Sequence, residues 1–239
     1  MNKELLTISE AAEFLGISID TLRRWDKSGK LVATKKEGGT HRYYTKETLE
    51  MFSNDLLKLA KDWASSSGDI STDFYCPNSV IFQARLSRMH DMIRDSKKFD
   101  HIFSLIVSIA GEIGNNSYDH NLGNWPDMPG VFFGYDINKK VIVLADRGLG
   151  ILKTLSRVRT SLQTHEEALR VAFTEIISGR APENRGNGLK FVRKVISENP
   201  IDLFFQSGNA EVRIKRNDAG LQIKKSKIDI QGCLASITF

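Results

Sequence analysis

Cysteine is nearly absent from this chain of 239 residues: Cys76 and Cys233 are the two. Two are too few for a disulfide framework or a zinc site, so both are expected as buried thiols. Long apolar runs are also missing. The longest, Ile102 to Ala110, contains serine and falls far short of the roughly 20 residues a membrane-spanning helix needs. The opening MNKELLTISEAAEF places Glu and Ser where a secretory leader needs an apolar stretch, so a cytoplasmic chain without a membrane partner is expected. There is no internal repeat and no long low-complexity tract. Nor does one sign of charge dominate. The formal net charge of +5 permits a nucleic-acid partner without requiring one.

What is present is ordinary in bulk and uneven in detail. With 41% hydrophobic and 26% charged residues, the chain can build a real core, as one large domain or a medium one with a small one. Between Thr21 and Lys46 eight basic residues face Asp26 and Glu37, with Glu47 just beyond. This basic segment reads as helical and compact. Thr7 and Glu10 form a capping box for a first helix, whose Ile8, Ala11, Ala12 and Leu15 share a face before Gly16. Ser18 caps a second short helix that Gly29 ends. A strand, a turn at Gly38 and Gly39, a second strand and a helix from about Thr45 follow. Small and polar residues over 64–73 suggest a linker between a unit at 1–63 and another at 74–239.

The second unit alternates between helix and strand patterns. Residues 79–95 and 99–119 read as amphipathic helices. Residues 131–136 and 140–146 read as hairpin strands. A capping box at Thr164 and Glu167 starts a helix running to Ser178, and a further helix precedes Pro200. The segments 201–207, 210–216 and 233–239 are the remaining strands. The fold class expected is α+β: a small winged helix-turn-helix, then a two-layer α/β sandwich with a mixed sheet and helices on one face.

Three islands in this second unit carry chemistry. In GEIGNNSYDH, steps of four align Glu112, Asn116 and His120 on one helical face, with Asp119 alongside. In ADRGLGI, Asp146 ends a strand and enters a turn with Gly148 and Gly150. A carboxylate there can accept from the exocyclic amine of a purine, and glycine lets backbone approach the ring. In NRGNGLKFV, Gly186 and Gly188 open a helix whose free N–H groups can face phosphate. An asparagine oxygen suits Mg²⁺, which keeps waters while bridging phosphates. Glu112 is placed to take a proton from water or a hydroxyl.

In this order, across about residues 74–239, the islands resemble the N, G1 and G2 boxes of the GHKL superfamily of ATPases. The resemblance implies the Bergerat fold with ATP and Mg²⁺ as ligands. It implies Asn116 as the Mg²⁺ ligand, Glu112 as general base and Asp146 as adenine reader. Asp119, His120, Gly148, Gly150, Arg185, Gly186, Gly188 and Leu189 are implied as further ATP contacts, with residues 151–187 as a lid. The chain departs from the family at Gly232-Cys233, where a Gly-Thr pair is common. His90 and His101 read as ordinary surface or packing histidines, not phosphorylation sites.

The segment 5–52 resembles the MerR/excisionase winged helix-turn-helix group, through TISEAAEFLGIS, DTLRRWDKSGKL and GGTHRYYTKETL. The resemblance implies double-stranded DNA as partner. Arg23, Arg24 and Lys27 would face the groove from the second helix, and His41, Arg42 and Tyr43 would lie on the wing, while Leu22 and Trp25 pack inside. The function expected is a DNA-binding transcriptional regulator modulated by Mg·ATP, with homodimerisation as the default and a protein partner as a further possibility. The alternative is a serine/threonine kinase of the anti-sigma-factor type, in which Glu112 deprotonates a partner's hydroxyl.

Overall fold

The computed structural model describes residues 5–15, 17–29, 31–35, 41–53, 56–65, 70–95, 102–176 and 188–239. The Gly38-Gly39 turn, His101, Arg185, Gly186 and residues 66–69 of the expected linker lie outside the described residues.

Cap chemistry sets the N-terminal helices. Strand β1 (Leu5–Thr7) leads into α1 (Ile8–Leu15). There Thr7 N–H donates to Glu10 Oε2 at 2.7 Å and Glu10 N–H donates to Thr7 Oγ1 at 3.3 Å. Ser18 accepts from Thr21 N–H at the start of α2 (Ile19–Lys27), and Gly29 leaves the helix at φ +76°. Strands β2 (Thr34–Lys35) and β3 (Arg42–Thr45) pair antiparallel as the expected hairpin, followed by α3 (Lys46–Ser53). The added pairing of β1 with β3 was not foreseen. Three residues are too few to display a period-two pattern.

Helix α4 (Leu56–Ser65) precedes the second sheet. Its strands are β4 (Tyr75–Cys76), β5 (Val131–Asp136), β6 (Val141–Asp146), β7 (Asp202–Ile214) and β8 (Gln222–Thr238). They lie in the order β4-β5-β6-β8-β7. Every neighbouring pair is antiparallel, so the mixed sheet expected from sequence is corrected. Short connections close the β5–β6 and β7–β8 hairpins, as antiparallel pairing requires. The segments 201–207 and 210–216 also form one strand rather than two. Their register shifts at Ser207/Gly208 and Gly208/Ala210, where Gly208 takes φ +57°. A bulge there absorbs the break that reads as a turn in sequence.

Helices α5 (Ser79–Asp95), α6 (Phe103–Asn121), α8 (His165–Thr174) and α9 (Gly188–Glu198) cover one face of this sheet. Ile106, Ile109, Phe173 and Val192 pack there with Phe133, Leu144, Phe205 and Ile237. Short α7 (Gly150–Leu155) sits at the end of β6. Helix α8 stops at Thr174, before Ser178, where Glu175 turns to extended backbone. Helices α7 and α8 pack together through Leu155, Ala168 and Val171. Residues 151–176 of the expected lid at 151–187 thus hold most of α7 and all of α8.

The opposite face is covered too, which corrects the expectation of helices on one side. Ala60, Trp63 and Ala64 of α4 pack against Phe132, Val143, Ala145 and Leu234, in the same apolar cluster as Leu22, Trp25 and Leu49. The Trp63 and Phe132 rings lie 6.4 Å apart, Phe74 stacks on Phe132 at 5.1 Å, and Trp25 reaches Phe74 at 6.0 Å. The helix-turn-helix therefore leans on the back of the sheet. Burying a side chain of this size contributes roughly 2–3 kcal/mol.

The seat of α6 on α5 depends on Gly114. A Cβ at this position would lie 2.6–2.7 Å from Cε1 and Cε2 of Phe82, a ring that is fully buried. Gly114→Val should cost about 3 kcal/mol through overpacking, lowering the melting temperature by on the order of 8 °C. Gly111→Ala, whose Cβ would meet Leu86 Cδ2 at 3.2 Å, should change it far less. Thermal melts of the two variants compare these outcomes directly.

Candidate functional site

A pocket of about 840 Å³, counted to its open mouth, lies between α6, the end of β6, α7 and the start of α9. Its walls are largely apolar, with Ile113, Leu144, Ile151, Leu155, Leu189 and Phe205 among them. Its polar floor is Asp146, which is 2% exposed. Ser117 Oγ donates to Asp146 Oδ2 at 2.7 Å, Gly148 N–H donates to Oδ1 at 2.8 Å, and the Cys233 backbone N–H donates as well. Burial is the largest influence and raises the Asp146 carboxyl above the usual carboxylate range, although these three bonds oppose it.

The surrounding turn is tied down by side chains. Asn121 Oδ1 accepts from Leu149 N–H at 2.7 Å, while its Nδ2 donates to Ser117 O at 2.7 Å. Ser207 Oγ accepts from Ile151 N–H at 2.9 Å and donates to Gly232 O at 3.0 Å. Gly232, at φ +76°, passes so close to the Asp146 carboxylate that a side chain there would overlap it. Gly148 is required for a like reason, because a Cβ would overlap the Asn121 amide. Burial, followed by the Asp146 charge, raises the Cys233 thiol well above its ordinary value, so it stays protonated beside the pocket. Burial lowers the pKa of His120, favouring a neutral ring at physiological pH, and its Nδ1 has no partner among the described residues.

The three islands meet here. Asn116, His120, Asp146, Gly150, Gly188 and Leu189 line this one pocket. Glu112 borders it: Asn116 Nδ2 donates to Glu112 Oε1 at 3.1 Å, and a Cβ on Gly188 would overlap that carboxylate. Gly148 supports Asp146 from behind. Asp119 is exposed on α6 and is not among the lining residues. Sequence reasoning missed Ser117, Asn121 and Thr154, and noted Cys233 only as a departure from the GHKL pattern. Ser117 and Asn121 were findable, since they repeat the step of four one position beyond Asn116 and His120. Among the described residues, no group of three or more His, Cys, Asp or Glu side chains could enclose a metal.

At the other end of the chain, α2 buries Thr21, Leu22 and Trp25 and exposes Arg23, Arg24 and Lys27. Arg23 pairs with Asp20 at 2.8 Å, both well exposed. Arg24 donates to Thr21 Oγ1 at 3.0 Å and Thr72 Oγ1 at 3.4 Å. His41 is exposed and Tyr43 half-buried. Arg42 is differently placed: its Nε donates to Asp26 Oδ2 at 2.6 Å, while Asp26 Oδ1 accepts from Ala33 N–H at 2.9 Å. Arg42 thus braces the hairpin against α2. The Ala33 bond and then Arg42 hold the Asp26 carboxyl below its ordinary value. This contribution to stability is complete above the unfolded carboxyl's titration and is lost as pH falls through the lowered folded one.

Residues 7–44 match the family described as MerR family regulatory protein. Helices α1 and α2 with the β2–β3 hairpin are therefore a helix-turn-helix of the MerR type. The chain is also 39% identical over 75 residues to the Type II methyltransferase M.Eco47II of Escherichia coli, covering 31% of this chain and 18% of that protein. The chain thus spans less than a fifth of that relative's length. Among the described residues no helix is long and apolar enough to cross a membrane.

Proposed function

We propose that this chain is a DNA-binding transcriptional regulator whose second unit binds Mg·ATP, and that nucleotide occupancy alters its affinity for DNA or for a protein partner. The carrying observation is convergence: Asn116, Asp146 and Gly188, from three separated islands, border one apolar-walled pocket. This supports the likeness to GHKL ATPases. An ionised carboxylate has about four acceptor sites, and protein donors take three at Asp146. The remaining site can accept from the exocyclic amine of adenine. The apolar walls suit a flat heterocycle.

Asn116 gives its amide N–H to Glu112, which leaves its Oδ1 for a cation. One protein oxygen is a fitting share for Mg²⁺, which keeps waters and takes the rest of its oxygens from phosphate. Neutral His120 and the start of α9 would stand nearest the phosphates. Exposed Arg23, Arg24 and Lys27 supply the cations that a recognition helix presents to double-stranded DNA, and binding as a homodimer to a palindrome is the default arrangement.

DNA affinity measured by anisotropy with and without Mg·ATP tests the switch, and identical affinities would remove it. Acid should weaken nucleotide binding. Protonating Asp146 removes the acceptor, and its carboxyl titrates above the ordinary range. Affinity should therefore fall as pH drops through that raised value, before ordinary carboxylates titrate near about pH 4. Calorimetry across mildly acidic pH reads this, and an unchanged affinity would take Asp146 out of the contact.

A further inference from the structure

The turn that carries Asp146 also carries a buried cation that the pocket does not use. Arg147 is 5% exposed and pairs with Asp127 through Nη2. Its guanidinium carbon lies 5.9 Å from the centroid of the Trp63 ring on α4. Gln231 Nε2 closes the group, donating to Arg147 O at 3.1 Å and Asp127 Oδ1 at 3.4 Å. Arg147 Nε and Trp63 Nε1 are both buried with no partner among the described residues. Burying a guanidinium with an unmatched N–H is costly, and simple packing would favour an apolar side chain here.

The sheet's pleat explains the placement. Successive side chains on a strand point to opposite faces. Leu144 and Asp146 face α6 and the pocket, while Val143 and Arg147 face α4. One peptide unit therefore joins the pocket floor to the helix beneath the helix-turn-helix.

We propose that Arg147 and Trp63 couple the pocket to the DNA-binding unit. The inference rests on the nucleotide reading above. A ligand donor drawn onto Asp146 tightens the 146–150 turn. Arg147 moves with it, its guanidinium packed on Trp63 and held by Asp127. Helix α4 then shifts on Phe132 and Leu234. The helix-turn-helix core shares that apolar cluster through Phe74 and Trp25, so its seat changes. By linkage, DNA changes ATP affinity by the same factor.

The test measures DNA affinity with and without Mg·ATP, and ATP affinity by calorimetry, for wild type, Arg147→Met, Trp63→Leu, Trp63→Phe and Asp127→Asn. Wild type should show a shift of about fivefold or more, the size of ordinary coupling. Arg147→Met, Trp63→Leu and Asp127→Asn should reduce it below about twofold while ATP affinity stays within about threefold. Trp63→Phe keeps a ring for the guanidinium and should retain much of the shift, a rescue that a purely structural role would not produce. Asp127 is partly exposed, so its variant keeps the test valid if Arg147→Met does not fold. A full shift surviving in folded Trp63→Leu or Asp127→Asn overturns the coupling alone, as does ATP heat without any shift in wild type. No heat in wild type overturns the nucleotide reading, and the coupling with it.

Discussion

Asp146→Asn is expected to weaken Mg·ATP binding by about 100-fold, roughly 2–3 kcal/mol, in a chain that remains folded. Ser117 Oγ can accept from an amide as readily as it donates to a carboxylate, so an asparagine fits with its NH₂ toward Ser117 and its oxygen toward Gly148 N–H. The ligand's amine then meets a donor. The opposite orientation turns the NH₂ toward Gly148 N–H and leaves a donor facing a donor inside the protein. Stability should move the other way. Asp146 titrates above the ordinary carboxylate range in the fold, so its contribution is favourable below that raised value and is lost as pH rises through it. At neutral pH the buried charge opposes folding. Without nucleotide, Asp146→Asn should melt at or above the wild-type temperature near about pH 7.5, with the difference shrinking toward pH 5. Calorimetry and melts at the two pH values separate binding from folding. A variant that binds ATP normally would contradict the assignment.

Replacing Arg23, Arg24 and Lys27 together with alanine should lower DNA affinity by on the order of 100-fold at ~0.15 M salt, and should reduce the slope of log K against log salt by about 3. These side chains are exposed and make surface contacts of little energetic weight. The packing face of α2, Thr21, Leu22 and Trp25, is untouched, and alanine is a good helix former. Melting temperature and ATP affinity should therefore hold. Anisotropy titrations at several salt concentrations read both numbers. An unaltered salt slope would move the DNA-contacting face elsewhere on the molecule.

Local chemistry was the legible part of this chain. The capping boxes at Thr7/Glu10 and Thr164/Glu167, the Ser18 cap and the Gly29 exit all concern residues within one turn of each other. The pairing within the β2–β3 and β5–β6 hairpins was equally local, whereas β8 was expected only over 233–239 and runs Gln222–Thr238. Strand direction across the whole sheet was not legible: β5 and β6 are buried on both faces, so they read as the continuous apolar runs that parallel strands also show. Strand β7 was divided in two because Gly208 and Asn209 look like a turn, whereas β8 runs beside them and turns the irregularity into a bulge. The docking of α4 was hidden as well. The spacing of Ala60, Trp63 and Ala64 shows an apolar face but not the surface it meets.

The pocket followed the same rule. Asn116, Asp146 and Gly188 were found because each sits in a distinctive local pattern. Ser117 and Cys233 matter through a partner far along the chain. The sequence shows the charge of Arg42 on the wing but not the Asp26 carboxylate of α2 that it meets. Arg147 went unnoticed between Asp146 and Gly148, where a solvated turn is the ordinary expectation, and only the ring on α4 shows where its side chain goes.

The most direct test is a calorimetric titration of the purified chain with ATP in the presence of Mg²⁺, run beside Asp146→Asn. Saturable heat in the wild type, lost or strongly weakened in the variant, is the result expected of a pocket whose floor reads adenine. A wild-type titration with no heat above dilution, or a variant that titrates as wild type does, would contradict it.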